Sequence, residues 1–290
     1  MPGEWRQWLE PGISFMASRG DYEGARAAIF GVPMDFTTSF RPGTRHGPQR
    51  IRLVSVGIEE YSLHQDRDLR EIPFCDLGDV AVAYGNVPVT LDRVRAVADG
   101  VLFDDKLPVV LGGEHLISLP VIGAAQARYP GLAVLHFDAH ADLRDDYLGE
   151  AQSHATVMRR VADRIGGRNL YQYGIRSGSR DEREYAEHHT NFHPYELLPA
   201  LERDLPDLEG RPVYVSVDID VLDPAYAPGT GTPEPGGVSS RELLLAVEKL
   251  AGLQVVGFDL VEVSPGYDPS ERTAVVAAAV IREALLAVVK

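Results

Sequence analysis

The chain has 290 residues, 44% of them hydrophobic, a single cysteine and a formal net charge of −15. One cysteine rules out an intrachain disulfide and leaves thiolate metal chemistry a single ligand, while the acidity disfavours binding to phosphate backbones, so nucleic acid is not an expected partner. The longest apolar run, Ala274 to Ile281, is far below the roughly 20 residues of a membrane span, and the N-terminus lacks a signal-peptide core, so a soluble, cytoplasmic protein with no membrane partner is expected.

In chain order, strand-like runs fall at Ala27 to Val32, Ile72 to Leu77, Leu107 to Leu111, Leu132 to Phe137, Leu170 to Ile175, Pro212 to Val217 and Val255 to Leu260. Each is short and apolar, and most are rich in β-branched or aromatic residues. Amphipathic stretches of helical period lie between several of them, at Leu91 to Phe103, Ser118 to Arg128, Thr156 to Ile165 and Ser239 to Leu250. This alternation predicts an α/β fold with a largely parallel sheet covered on both faces. No break in composition and no internal repeat divides the chain, so residues 1–290 are read as one domain. Ser239 with Glu242 has the pattern of a capping serine and a reciprocating Glu, and Ser153 is a candidate cap for an earlier helix. Cys75 lies in an apolar run and reads as a buried thiol. The segment Arg41 to Arg52 is the one basic cluster: a solvated loop leading into a helix, an anion site and a subunit contact all fit it.

Chemistry concentrates where two apolar runs stop. Asp138-x-His140-x-Asp142 follows one strand and Asp218-x-Asp220 ends another, and in extended backbone residues two apart share a face. Alone, an Asp-x-Asp is usually a turn or cap, and a Gly-Gly-x-His such as Gly112 to His115 is usually just a turn. Open parallel sheets, however, bind ligands outside the carboxyl ends of their strands, and His115, the Asp138 group, the Asp218 group and Glu262 all follow strands. Four carboxylates brought together cannot all stay ionised without compensation. Protons could supply it, but two divalent cations would balance the charge, and His115 and His140 add nitrogen donors, so a binuclear metal centre is the economical reading. Pro224 to Gly237, rich in Gly and Pro, directly follows the Asp218 group and reads as a rigid loop at the same place.

With those residues in view, Gly112-Gly113-Glu114-His115, Phe137 to Asp142 and Ser216 to Pro224 resemble the signatures of the ureohydrolase family, which includes arginase and agmatinase. Gly149 to Thr156, Gly174 to Gly178, Ala227 to Thr232 and Asp259 to Ser264 are most similar to its bacterial agmatinases of the bacillus type. The resemblance implies a three-layer α/β/α domain with an eight-stranded parallel sheet, two manganese ions and a homo-oligomer, often a hexamer. It implies one ion on His115, Asp138, Asp142 and Asp218 and the other on Asp138, His140, Asp218 and Asp220. Glu262 is expected to orient the guanidinium of a small cationic substrate, Asp142 to pass a proton to the leaving amine, and His154 to contact substrate and shuttle protons to solvent. Many members have Asp where this chain has Glu114. The expected reaction is cleavage of agmatine to putrescine and urea, with guanidinobutyrate, N1-aminopropylagmatine or arginine as alternative substrates. Arginase-like members carry Asn just past the Asp-x-His-x-Asp motif where this chain has Leu143-Arg144, which weakens arginine. Asp145, Asp146 or Glu150 is expected near the distal ammonium. A metal-bearing scaffold without turnover and a one-zinc deacetylase of related fold are the rival readings.

Overall fold

The computed structural model describes residues 3–290. Its strands are β1 (Leu9–Glu10), β2 (Ala27–Val32), β3 (Tyr61–Ser62), β4 (Arg67–Asp68), β5 (Phe74–Val80), β6 (Leu107–Gly112), β7 (Ala133–Phe137), β8 (Leu170–Ile175), β9 (Asn191–Pro194), β10 (Pro212–Asp218) and β11 (Gln254–Val261). Its helices are α1 (Gly47–Ser55), α2 (Val87–Phe103), α3 (Ser118–Arg128), α4 (Val157–Ile165), α5 (Arg180–His189), α6 (Leu198–Leu208), α7 (Ser240–Lys249) and α8 (Arg272–Val288). The main sheet runs β1-β5-β2-β6-β11-β10-β7-β8-β9, with eight parallel strands and only β1 antiparallel, at the edge beside β5. The expected three-layer architecture and eight parallel strands are both present. β3 and β4 form a separate small ribbon.

Strand alternation divides the buried side chains between the two faces. Ala133, Leu135 and Phe137 of β7 join a core with Ile51 of α1, Leu201 of α6, Leu243 of α7 and Ile281 of α8. Val134 of the same strand joins the opposite core, with Val94 of α2, Ile122 of α3 and Val161 of α4. Each Val, Leu, Ile or Phe side chain among these contributes roughly 1.5–3 kcal/mol when fully buried. The apolar run noted at Ala274 to Ile281 lies within α8, which packs on α1 and α7. Among the described residues, no helix is long and apolar enough to cross a membrane.

Several local expectations change. The strand read at Ile72 to Leu77 begins at Phe74 and runs on to Val80, because Pro73 lacks a ladder N–H and the polar Asp76 and Asp79 are held by Arg52. β9 and α5 carried too few apolar residues to show a period: α5 buries only Glu182 and Ala186. Ser239 caps α7, but Glu242 does not reciprocate, since its carboxylate accepts the Leu198 N–H at 3.4 Å. Ser153 forms a reciprocal capping box with Thr156 ahead of α4. Cys75 is buried in β5, and burial pushes its thiol up to about 11.

The basic segment is spent mostly on internal pairs. Arg52 is buried, with Nε and Nη2 on the two oxygens of Asp76 at 2.8 and 2.9 Å and Nη1 on Asp79. Arg45 meets the buried Asp35, and Arg50 meets Glu271 at 2.6 Å. Arg41 lies over the rings of Phe40 and Tyr267.

Candidate metal centre and active site

The four central strands β6, β11, β10 and β7 end side by side, and each delivers part of one cluster. His115 follows β6, Glu262 follows β11, Asp218 closes β10, and Asp138, His140 and Asp142 follow β7. Asp220 stands in the turn after β10. At β6 the chain can turn this tightly only as glycine: a Cβ on Gly113 would lie 2.0 Å from the Met34 carbonyl oxygen.

The spacing of two does more than align side chains. Asp138 Oδ1 accepts the His140 N–H at 2.5 Å and Asp218 Oδ1 accepts the Asp220 N–H at 2.8 Å, while Asp220 Oδ1 takes the Ala139 N–H at 3.0 Å. Each aspartate is therefore anchored by one oxygen and turns the other into the site. His115 Nδ1 lies 3.1 Å from Asp138 Oδ2 and 3.3 Å from both Asp142 Oδ2 and Asp218 Oδ2. His140 Nδ1 lies 3.0 Å from Asp220 Oδ2 and 3.5 Å from Asp138 Oδ1. All six ligand-type residues expected from the sequence meet here.

The electrostatics of the cluster favour positive charge at its centre. Burial raises Asp218, and Asp220 and Asp138 raise it further; burial also raises Asp220, with His140 opposing. Burial acts against the charged form of His115, yet Asp138, Asp142 and Asp218 lift its pKa well above the usual histidine range. Positive charge is drawn to this point. Hydrogen bonds do not meet the demand, since buried His115 Nδ1 and Asp220 Oδ2 have no hydrogen-bond partner despite their close neighbours.

Hydrogen-bond counting identifies which nitrogen of His115 is available. The Ser216 hydroxyl donates to Asp259 Oδ1 at 2.7 Å, so at 2.9 Å from His115 Nε2 it acts as acceptor of an N–H. In the neutral imidazole, the form that binds a metal, Nδ1 is then the lone-pair nitrogen, and it faces three carboxylates. Tyr214 donates to the other Asp259 oxygen at 2.6 Å, completing a support of the kind that orients metal-binding imidazoles. His115, His136, Asp138 and Asp142 form one group able to hold an ion, and Asp138, His140 and Asp220 a second that shares Asp138. Nitrogen and carboxylate donors suit a divalent first-row metal. Within the first group His136 supports rather than ligates. Gln172 Nε2 donates to its Nδ1 at 3.1 Å, which leaves Nε2–H to donate to Asp138 Oδ2 at 2.7 Å.

Glu262 is buried beside the cluster, with Oε1 accepting the His115 N–H at 2.8 Å, and burial pushes its pKa up to about 8. Asp142 and Glu262 both have positive φ, 53° and 65°, in a region that costs other residues about 1–3 kcal/mol each. Glu262 in particular is held in a backbone conformation that side chains other than Asn and Asp seldom adopt. A cavity of about 220 Å³ opens above them, lined at its base by His115, Asp142, Asp218 and Glu262. His154 lines one wall; burial lowers its pKa and the Asp142 charge opposes the shift.

Of the three acids expected near the distal ammonium, Asp145, Asp146 and Glu150, none lines this cavity. Asp145 is exposed and paired with Arg160, Asp146 accepts the Gly149 N–H at 2.9 Å, and Glu150 lines a neighbouring cleft. Glu182 lines the cavity instead, 3.6 Å from Arg144. Glu182 also accepts the Leu143 N–H at 3.0 Å and the Ser179 N–H at 2.7 Å, so α5 carries this acid to the cavity by its capping box. His136, Ser216 and Asp259 were not singled out by sequence reasoning, although the signal existed. His136 and Ser216 stand two residues before Asp138 and Asp218, the same alternation read one step back. Glu114 escaped notice as a functional residue because its partners lie in a loop with no period.

The sequence profile of the Arginase family matches residues 25–287. The chain is 52% identical over 282 residues to the agmatinase of Bacillus subtilis, covering 96% of this chain and 97% of that one. It is 49% identical over 278 residues to the agmatinase of Halalkalibacterium halodurans, covering 95% of this chain and 96% of that one. The crystal structure of the agmatine ureohydrolase of Thermoplasma volcanium aligns with a TM-score of 0.87 at 33% identity, over 97% of this chain and 96% of that chain.

Proposed function

The chain belongs to the arginase family, and from that premise we propose that it hydrolyses agmatine to putrescine and urea. The observation that carries this reading is the convergence of His115, His140 and four aspartates around two buried atoms with no hydrogen-bond partner, at the ends of the central strands. In this reading His115, Asp138, Asp142 and Asp218 would hold one manganese ion and Asp138, His140, Asp218 and Asp220 the other, Asp138 and Asp218 serving both. Two ions so held would lower the pKa of water and supply a nucleophile at neutral pH.

The protein's own groups do the rest. Glu262 gives one oxygen to the His115 N–H, which leaves the other to accept from the guanidinium, and a cation there favours its ionised form. Water adds to the guanidinium carbon and the bond to the alkyl nitrogen breaks. That nitrogen needs a proton, which Asp142 carries from the attacking water, and His154 exchanges protons with solvent. Glu182 lines the same cavity, and we place the substrate's ammonium on its side, where Arg144 disfavours an extra positive charge. We also read the chain as one domain acting in the cytoplasm as a homo-oligomer, with a hexamer as the candidate assembly.

The test is urea release with manganese from agmatine, arginine, 4-guanidinobutyrate and N1-aminopropylagmatine. Agmatine is expected to give the highest kcat/KM by at least about tenfold, a difference of about 1.4 kcal/mol. Equal or faster hydrolysis of any other member overturns the substrate assignment.

A further inference from the structure

Glu114 is buried, and no step above uses it. All of its close hydrogen-bond contacts are donors: the Phe36 N–H at 3.1 Å on Oε1, the Thr37 N–H at 2.9 Å on Oε2 and the Thr37 hydroxyl at 2.6 Å on Oε2. The loop it grips is closed at its base by buried Asp35, which accepts the Gly43 N–H at 2.9 Å and pairs with Arg45. Phe36 and Thr37 are therefore held from beneath.

What that loop holds is His154. A hydroxyl has one proton and two lone pairs. The Thr37 proton goes to Glu114, one lone pair accepts the His154 backbone N–H at 3.1 Å, and the other faces His154 Nδ1 at 3.4 Å. Toward the ring, then, Thr37 can only accept, and Nδ1 must carry the hydrogen. Nε2 keeps its lone pair and lies 3.4 Å from Ser39 Oγ, which takes the Tyr147 hydroxyl at 3.1 Å and so has its own proton to offer. Tyr147 packs edge-on against the imidazole at 5.5 Å.

We infer that Glu114 and Thr37 are positioning residues that fix the tautomer and orientation of His154, making Nε2 the nitrogen that takes up and releases protons. This rests on the assignment of His154 as the proton carrier. The Thr37 contact is long, and geometry of this kind tightens when substrate is bound.

A double-mutant cycle in the manganese-loaded enzyme tests it. Thr37→Val keeps the shape and removes the hydroxyl; it is expected to lower kcat for agmatine by about tenfold or more, with KM and metal content unchanged. Thr37→Ser, which restores the hydroxyl, is expected to recover most of that loss. In a His154→Asn background Thr37→Val is expected to cost nothing further, because the two act through one group. Parental kcat in Thr37→Val, or an equal additional loss in the His154→Asn background, overturns the inference while leaving His154 in its role. Parental kcat in His154→Asn alone overturns the assignment of His154 itself. Should Thr37→Val fail to fold, Thr37→Ala carries the same comparison.

Discussion

His115 and His154 are held by the same device, rooted in different parts of the fold. Each faces a hydroxyl whose own proton goes to a buried carboxylate: Ser216 with Asp259 for His115, Thr37 with Glu114 for His154. Ser216 and Asp259 are register partners on the adjacent strands β10 and β11, so the ladder itself aligns them. Thr37 lies in a loop and meets Glu114 across 77 residues of sequence, with no ladder to set the distance. The first contact is short at 2.9 Å and the second long at 3.4 Å. A site floor built on sheet register is rigid and suits ions that demand fixed geometry, while a rim built on a loop suits a group that must exchange protons with solvent.

The largest effect is expected at the floor. Asp138 belongs to both candidate ion groups, so Asp138→Asn should abolish urea release and reduce bound metal, read by metal analysis of the purified protein. Retained turnover with that variant would sink the binuclear reading altogether. Ser216→Ala should come next: loss of the support to His115 is expected to weaken metal affinity by about 10–100-fold, measured by manganese titration, whereas Thr37→Val should leave that affinity alone. Equal metal affinity in the two variants would erase the distinction between floor and rim.

Smaller effects are expected toward the cavity mouth. Arg144→Gln removes a cation beside Glu182 and should raise the kcat/KM ratio of agmatine to 4-guanidinobutyrate by about three- to tenfold, on the scale of a screened charge pair. A ratio that does not move would mean that Arg144 points away from the bound tail. Smallest of all is Asp145→Asn: with its carboxylate exposed and turned to Arg160, both urea release and the unfolding midpoint should match the parent. A large loss there would restore the acid expected from the sequence.

The distinction between floor and rim also marks where sequence reading succeeded. β2 and β8 were legible to the residue, and the other central strands to within a residue or so, because buried parallel strands are short apolar runs ended by polar residues. The six ligand-type residues were legible because a period of two and the rule of carboxyl ends place them without knowledge of the loops. His136, Ser216 and Asp259 obey the same period and were missed only because they sit inside the runs, where a polar residue reads as an interruption. Asp145 was misplaced and Glu182 missed for a different reason: both depend on the path of irregular chain and on α5, whose polar surface leaves no apolar stripe.

By itself, then, the sequence determined the class of fold, the strand ends and the demand for positive charge, since these follow from local periodicity and from carboxylates that cannot crowd together uncompensated. Only the tertiary structure decided which atom of each ligand is anchored and which is available, which acid lines the cavity, and which nitrogen of each histidine bears a proton. Those are matters of distance between residues far apart in the chain, and hydrogen bonds, which act over about 3 Å, are set by packing rather than by pattern.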